Sequence, residues 1–294
     1  MTADGTVVPE HALDQYRMLP PTAGSQGAPT MTPDGMQLPT DEEADGSFGK
    51  QVVLNTQERP HEFVVTGDSS VFFTSNPALT EQGADGAVFF VGSAAVAWNH
   101  RISQDLQLQV GGRAALFRYD ARSDLDFDSF GGGVGLTWSP AFSSGIVFFG
   151  GYDATKLLKR GGDDLLTEHA FTVGAAKVIV LSRSQALTFN LAGGLGITDP
   201  HSAQRDLIAA GVAYHLRLSR DLDLDAGYRG TVYFYDTRGR TDFNGLASLS
   251  LSYHFARWAT VSAYGSFADN FSNRSGFDYR AWIGGTGITL SWQF

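Results

Sequence analysis

From about residue 61 to its end, the chain alternates apolar and polar residues over long segments. In LDLDAGYRGTVYFYD, for example, Leu222, Leu224 and Val232 share one face, and Asp223 and Asp225 lie on the other. A period of two is typical of a β-strand, because successive side chains point to opposite faces. The same alternation runs through DLQLQVGGRAALF, QALTFNLAGGLGI, DLIAAGVAYHLRLS, DFNGLASLSLSYHF and RAWIGGTGITLSWQF, and less regularly near 61–74, 87–99, 127–138, 145–158, 167–181 and 258–268. The pattern predicts an all-β fold of about twelve strands, an even number as in outer-membrane barrels.

The connections between these segments alternate in length. Short turns (NHRISQ, SPAFSS, LSRSQ, LSRDL, FARW) alternate along the chain with mostly longer loops (SNPALTEQGADG, YDARSDLD, KRGGDDL, DPHSAQ, DTRGRTD, ADNFSNRSGFD). Membrane-spanning barrels have short periplasmic turns and longer extracellular loops. The sequence therefore predicts that residues 61–294 form a closed antiparallel transmembrane β-barrel with both of its ends on the periplasmic side.

A soluble β-sandwich is the main alternative, because its strands also alternate. Strands of soluble sheets average roughly five or six residues, whereas a tilted bilayer crossing takes about 9–11. The segments here are longer still, and aromatic residues cluster at their ends, as interfacial anchoring requires. The predicted membrane-interface aromatics at the short turns are Trp98, Trp138, Phe255, Trp258, Trp292 and Phe294, and those at the longer loops are Tyr119, Phe130, Phe234, Phe243 and Phe267.

The first 60 residues have a different character. They hold seven of the ten prolines and carry nine acidic against three basic residues, a net charge of -6. This composition predicts a largely disordered, Pro/Gly-rich acidic periplasmic tail at 1–60. Within it, EHALDQYRML has the pattern of a short amphipathic helix that is marginal in water without a partner. The start MTADGTVVPE lacks signal-peptide features, so export to the outer membrane implies that a signal has been removed.

Composition limits the chemistry. With 35 glycines, 12% aromatic residues, 18% charged residues and no cysteine, the chain fits β-structure better than a helical enzyme and offers no thiolate metal site. The histidines show no metal-ligand spacing, and neither GGGVG nor GGLG opens a helix as a phosphate loop does. We expect no cofactor, no metal and no nucleic-acid partner.

The last strand carries a more specific signal. It ends in LSWQF, with Phe294 as the terminal residue. This ending resembles the C-terminal aromatic signature of Gram-negative outer-membrane β-barrels of the uncharacterised, porin-like type. In such proteins the strand is read by the barrel-assembly machinery, so the resemblance implies that machinery and outer-membrane lipid as partners. It implies nothing about a substrate.

If the apolar faces meet lipid, the opposite faces line a lumen. A barrel of about twelve strands is wide enough for a small aqueous channel. The leading hypothesis is a bacterial outer-membrane protein that acts as a passive channel or export pore for small or extended polar solutes. The predicted lumen-lining polar residues are Gln107, Gln109, Arg113, Asn190, His215, Arg217, Asp223, Asp225, Arg229, Ser252 and His254.

Register suggests a polar cluster near the periplasmic mouth. A turn centred on Arg220 pairs Arg217 with Asp223 and His215 with Asp225, and the next hairpin is expected to set Ser252 beside Asp225. The cluster fits a hydrogen-bonded network that fixes register, or a hydrolytic triad in an outer-membrane lipid or ester hydrolase. The network is the favoured reading, so we predict no catalytic residue.

A third hypothesis is a structural or secretion module in the outer membrane. Its tail, residues 1–60, would thread the lumen or tether a periplasmic partner.

Overall fold

The chain folds into one closed β-barrel with a short helix. A computed structural model describes residues 9–19, 62–81, 85–236 and 239–294. The helix is α1 (Pro9–Met18). The strands are β1 (Phe63–Thr74), β2 (Ala87–Arg101), β3 (Leu106–Tyr119), β4 (Phe127–Trp138), β5 (Ile146–Lys159), β6 (Asp164–Ser182), β7 (Gln185–Asp199), β8 (Arg205–Ser219), β9 (Leu222–Tyr235), β10 (Thr241–Ala256), β11 (Ala259–Ser272) and β12 (Tyr279–Gln293).

Each strand pairs antiparallel with the next, and β12 pairs back onto β1. At the closure, Phe63 and Phe294 exchange backbone hydrogen bonds of 3.2 and 2.9 Å. Closure leaves no edge strand with unpaired backbone groups, which a membrane interior requires. The predicted all-β class, the closed antiparallel barrel and the number of about twelve strands are confirmed.

The two ends of the barrel differ as the connection lengths predicted. We call the end where β1 begins and β12 finishes the short-turn rim, and the opposite end the loop rim. The short-turn rim carries connections 102–105, 139–145, 183–184, 220–221 and 257–258, and the loop rim carries 75–86, 120–126, 160–163, 200–204, 236–240 and 273–278.

The outward face of the wall is apolar and open. Val173, Leu195 and Trp282 are more than half exposed, at 67%, 61% and 62%, and the outward positions of other strands are similar. Monomeric soluble proteins rarely expose contiguous apolar patches above a few hundred Å². Within the described part of the chain, no helix is long and apolar enough to cross a membrane. The apolar side chains that alternate along the strands are not packed between two sheets.

The inward face changes character along the barrel axis. In the half near the loop rim, inward positions are large and apolar and pack around α1. This corrects the prediction that apolar residues of the strands point outward and polar ones line the interior throughout. The correction has a physical cause: α1 and Leu19 supply an apolar surface inside the barrel. The inward cluster includes Phe72, Phe89, Val91, Phe117, Phe127, Leu157, Leu166 and Ile283.

Residues 9–19 therefore lie inside the barrel, where the sequence predicted a periplasmic tail. The rest of that tail, 1–8 and 20–60, lies outside the described residues, so the tail boundary at residue 60 stays a prediction. The amphipathic pattern of EHALDQYRML does form a helix, and the lumen wall is the partner that stabilises it.

Candidate functional site

The candidate site is the lumen at the level of α1. Residues 11–19 are buried with the single exception of Arg17, which is half-buried. Burial on all sides is unusual for a helix that carries His11, Asp14 and Gln15, because buried polar groups need partners. The wall of the barrel supplies those partners.

The helix bonds opposite walls of the barrel. Arg113 on β3 donates from Nε to the Tyr16 hydroxyl at 3.1 Å, and Arg229 on β9 donates to the Arg17 carbonyl at 3.2 Å. Strands β3 and β9 are six apart in the ring of twelve and so face each other across the lumen. The Tyr264 hydroxyl on β11 also donates to the Met18 carbonyl at 2.8 Å. A helix with its side chains is roughly 10–12 Å across, so this arrangement obstructs the lumen at that level.

Two buried ion pairs strengthen the attachment. Arg205 on β8 donates from Nη2 to Asp14 Oδ1 at 2.5 Å, and Arg17 donates to both carboxylate oxygens of Glu168 on β6 at 2.9 and 3.1 Å. The Arg205 guanidinium also stacks over the Tyr233 ring, 4.1 Å from its centroid. Removing one partner of a buried pair typically costs about 3–5 kcal/mol, because the other charge is left uncompensated.

Arg113 belongs to a hydrogen-bonded group inside the barrel. It donates from Nη1 and Nη2 to the two oxygens of Asp153, both at 2.6 Å, and from Nη2 to the Thr155 hydroxyl at 2.6 Å. Burial raises the pKa of the Tyr16 hydroxyl, which therefore stays neutral and accepts from Arg113. We call Arg113, Asp153, Thr155 and Tyr16 the arginine clamp.

Glycines of β4 make room for the arginine clamp. A Cβ on Gly131 would lie 2.7 Å from the Arg113 guanidinium carbon, and one on Gly133 would lie 2.7 Å from the Tyr152 carbonyl oxygen. GGGVG thus provides space for a bidentate ion pair, which its sequence pattern alone does not indicate.

The position of Tyr119 differs from the predicted one. Tyr119 was expected among the interface aromatics at the longer loops, but it points inward and is buried. Its hydroxyl donates to Gln15 Oε1 at 2.7 Å, and its ring stacks on Phe89 with centroids 5.0 Å apart. Gln15 Nε2 donates in turn to the Pro77 carbonyl. Because side chains alternate along β3, Tyr119 shares the inward face of Gln109 and Arg113, so the strand pattern itself contradicts the predicted interface position.

The half of the lumen near the short-turn rim is polar. We call its cluster on β8, β9 and β10 the polar vestibule; it comprises His215, Arg217, Asp223, Asp225, Ser252 and His254. The predicted pairs Arg217 with Asp223 and His215 with Asp225 are present in the register. His215 Nδ1 lies 2.7 Å from Asp225 Oδ1, and His254 Nε2 lies 3.0 Å from Asp223 Oδ2.

The expected position of Ser252 was wrong. Ser250 lies opposite Asp225, and Ser252 lies opposite Asp223. The predicted pairing is therefore offset by two residues from the observed register. The Ser252 hydroxyl lies 3.1 Å from that of Ser262. The described contacts therefore give no Ser–His–Asp chain, and they form the ion-paired network instead.

The remaining predicted lumen residues also lie on inward positions. Gln107 and Gln109 lie on β3 toward the short-turn rim, and Asn190 lies on β7 opposite Gly211 of β8. Arg113 and Arg229 meet the helix, as described above. None of the described residues forms a group of three or more His, Asp or Glu arranged to hold a metal ion.

Sequence reasoning missed four residues that hold the helix: Asp14, Arg17, Glu168 and Arg205. Arg205 directly precedes the predicted strand DLIAAGVAYHLRLS and is the first residue of β8, where it takes an inward position near the loop rim. A signal was present, because Asp14 and Arg17 lie in the one amphipathic segment outside the barrel strands. Complementary charge on that segment and on inward positions would have indicated that they meet.

The predicted interface aromatics at the short turns lie near the short-turn rim. Trp258 stacks on Trp292 with ring centroids 6.4 Å apart, and both are exposed. Trp98 stacks on His100, with centroids 5.2 Å apart. Trp138, Phe255 and Phe294 are likewise exposed.

Comparisons with known proteins concern the fold. No family model matches the chain, and no curated protein matches its sequence. A solved outer membrane channel from Pseudomonas putida F1 is similar with a TM-score of 0.57 at 10% identity, covering 80% of this chain and 97% of that one. The NanC porin gives 0.44 at 7% identity over 76% and 98%, and a loop-deleted OmpT of Vibrio cholerae gives 0.43 at 13% over 79% and 98%. The first of these similarities shows that this chain has the fold of an outer-membrane β-barrel.

Proposed function

We propose that this protein is an outer-membrane channel for small polar solutes whose N-terminal helix closes the lumen. The observation that carries the proposal is the bonding of α1 to opposite walls, through Arg113 on one side and Arg229 on the other. Below the helix, the polar vestibule supplies charged and hydroxyl groups suited to hydrated solutes. The passage therefore consists of a polar entrance and a plugged section.

The membrane placement rests on the outside of the barrel. The exposed apolar wall is suited to outer-membrane lipid, and the aromatic residues at the short-turn rim suit the interface between lipid and water. By the usual arrangement of such barrels, the short-turn rim faces the periplasm and the loop rim faces the exterior. Cleavage of a signal before residue 1 is part of this proposal.

Further partners follow from the same proposal. The final strand, with Phe294 at its end, would be read by the barrel-assembly machinery, as the resemblance implies. Of residues 1–60, α1 would occupy the lumen, and the rest of the segment would bind a periplasmic partner. The alternative of a lipid or ester hydrolase gains no support from geometry, because Ser252 is bonded to Ser262 rather than to His215.

Deletion of α1 tests the proposal. A variant without residues 1–19, refolded into planar lipid bilayers, should conduct steadily, whereas the full chain should be closed most of the time. Deletion of residues 1–8 is the matched control, because it shortens the same end and leaves α1 in place. Equal conductance of both deletions would contradict the role of α1 as a plug, and a refolded 1–19 deletion that never conducts would contradict a channel.

A further inference from the structure

A cavity lies beside α1 within the lumen. It has a volume of about 170 Å³ and is bounded by the helix and by strands β5 to β9. The wall leaves this space because inward positions at this level are small, among them Ala170, Gly196 and Ala209. A cavity of roughly 150 Å³ accommodates a molecule as large as benzene, so the space suits a ligand of about six heavy atoms.

The charged groups that line the cavity do not balance. Arg17 pairs with Glu168, Arg205 with Asp14 and Asp153 with Arg113, whereas Arg229 has no carboxylate partner among the described residues, which leaves one positive charge in excess. Asp153 is moreover already bonded through both oxygens to Arg113, and both oxygens of Glu168 accept from Arg17. An uncompensated buried charge is costly, and a bound anion would remove the cost.

The same three arginines have unused hydrogen-bond donors. Among the described residues, Arg205 Nε, Arg17 Nη1 and Arg229 Nε are buried without a hydrogen-bond partner. The Arg205 side chain is only 1% exposed, while its two Nη atoms are taken by Asp14 and the Tyr235 hydroxyl. Buried N–H groups normally find an acceptor, so three such donors on arginines that line one cavity favour an oxygen-rich ligand there.

We propose that this cavity is a binding site for a small oxyanion, a carboxylate or a phosphate, held jointly by the plug and the wall. Arg17 belongs to α1, and Arg205 and Arg229 belong to β8 and β9. The complete site therefore exists only while the helix is in place. Because a ligand stabilises the state that binds it, the anion would favour the plugged lumen. Binding is independent of whether the barrel conducts, so the two proposals fail separately.

Isothermal titration of the full chain in detergent tests the site. Inorganic phosphate and succinate are titrated in separate arms, in chloride-free buffer of constant ionic strength. We expect saturable binding of one molecule per chain, and the arm that binds tighter identifies the class of anion. Absence of saturable binding by both anions up to about 10 mM, a concentration that detects even weak sites, would overturn the proposal.

Two variants distinguish specific anion binding in the cavity from nonspecific attraction of anions to positive charge in the lumen. Arg229→Gln should weaken binding by at least about tenfold, as expected for a lost charge-assisted hydrogen bond. Arg217→Gln, which removes the same charge from the polar vestibule, should change the affinity by less than about twofold because a distant charge in an aqueous lumen is screened. Equal weakening by both variants would refute the site.

A third variant tests the cavity without removing any charge. Ala209→Leu fills the cavity and leaves every charge in place. It should abolish binding, while the heat-modifiable gel mobility of all three variants reports that the barrel is folded. Undiminished binding by folded Ala209→Leu would place the anion elsewhere and overturn the assignment.

Discussion

In the half of the lumen near the loop rim, β1 and β3 present Phe72 and Phe117 inward, and both are buried against other apolar groups. In the half near the short-turn rim, inward positions of the same strands carry Asp68 and Gln109. One strand thus has an apolar face toward lipid along its whole length, and a second apolar face along only part of it. A strand that is apolar on both faces has two apolar neighbours. The half near the loop rim is therefore built around an occupant, and the half near the short-turn rim is suited to water.

The largest expected effect, on the closure of the lumen, comes from disrupting an ion pair between α1 and the barrel wall. Glu168→Arg replaces the partner of Arg17 with a like charge. Loss of a buried partner costs about 3–5 kcal/mol, and about 1.4 kcal/mol corresponds to a tenfold change, so the ratio of open to plugged chains should rise by at least about a hundredfold. The open probability of single channels in planar bilayers measures this ratio.

The reversed pair is the control for that experiment. The double variant Arg17→Glu with Glu168→Arg restores opposite charges at the same two positions. It should recover most of the closure, because opposite charges face each other again and the new carboxylate at position 17 also lies near Arg229. A double variant that stays as open as Glu168→Arg would show that the ion pair does not hold the plug.

A smaller effect is expected where the two halves meet, at the arginine clamp. Gly133→Ala would place a methyl group 2.7 Å from the Tyr152 carbonyl oxygen and 2.9 Å from Asp153 Oδ2. Overpacking of this kind costs about 1–3 kcal/mol in the free energy of unfolding. Denaturant unfolding of the refolded barrel measures the loss.

Gly265→Ala is the matched substitution on β11. Its added methyl group would meet no atom within 4 Å. The free energy of unfolding should change by no more than about 0.5 kcal/mol, as for an unconstrained surface position. Equal destabilisation by the two alanines would mean that Gly133 is not there to accommodate the clamp.

The smallest effect is expected in the polar vestibule. Ser252→Ala removes the contact between its hydroxyl and that of Ser262. One such hydrogen bond contributes roughly 0.5–1.5 kcal/mol, and water in the lumen can replace it. Assays with an ester substrate and with phospholipid should give the same background rate for this variant and the natural sequence. A rate that falls with Ser252→Ala would revive the hydrolase hypothesis.

The sequence by itself determined the wall. Alternation of period two fixed which residues of β9, β10 and β12 face outward, since a one-residue slip would reverse every side chain. Turn geometry at Arg220 fixed the register of β8 with β9, and with it the contact of His215 with Asp225. These features are local, and local chemistry is enough to predict them.

Only the tertiary structure decided what the wall encloses. The place of α1, the contact of Tyr119 with Gln15 and the pairing of Arg17 with Glu168 join residues that are far apart along the chain, the last pair by 151 positions. Alternation specifies two faces but does not say whether an inward phenylalanine meets water, lipid or protein. That depends on which segment enters the lumen, and the free energy of entry is shared among contacts from many strands at once.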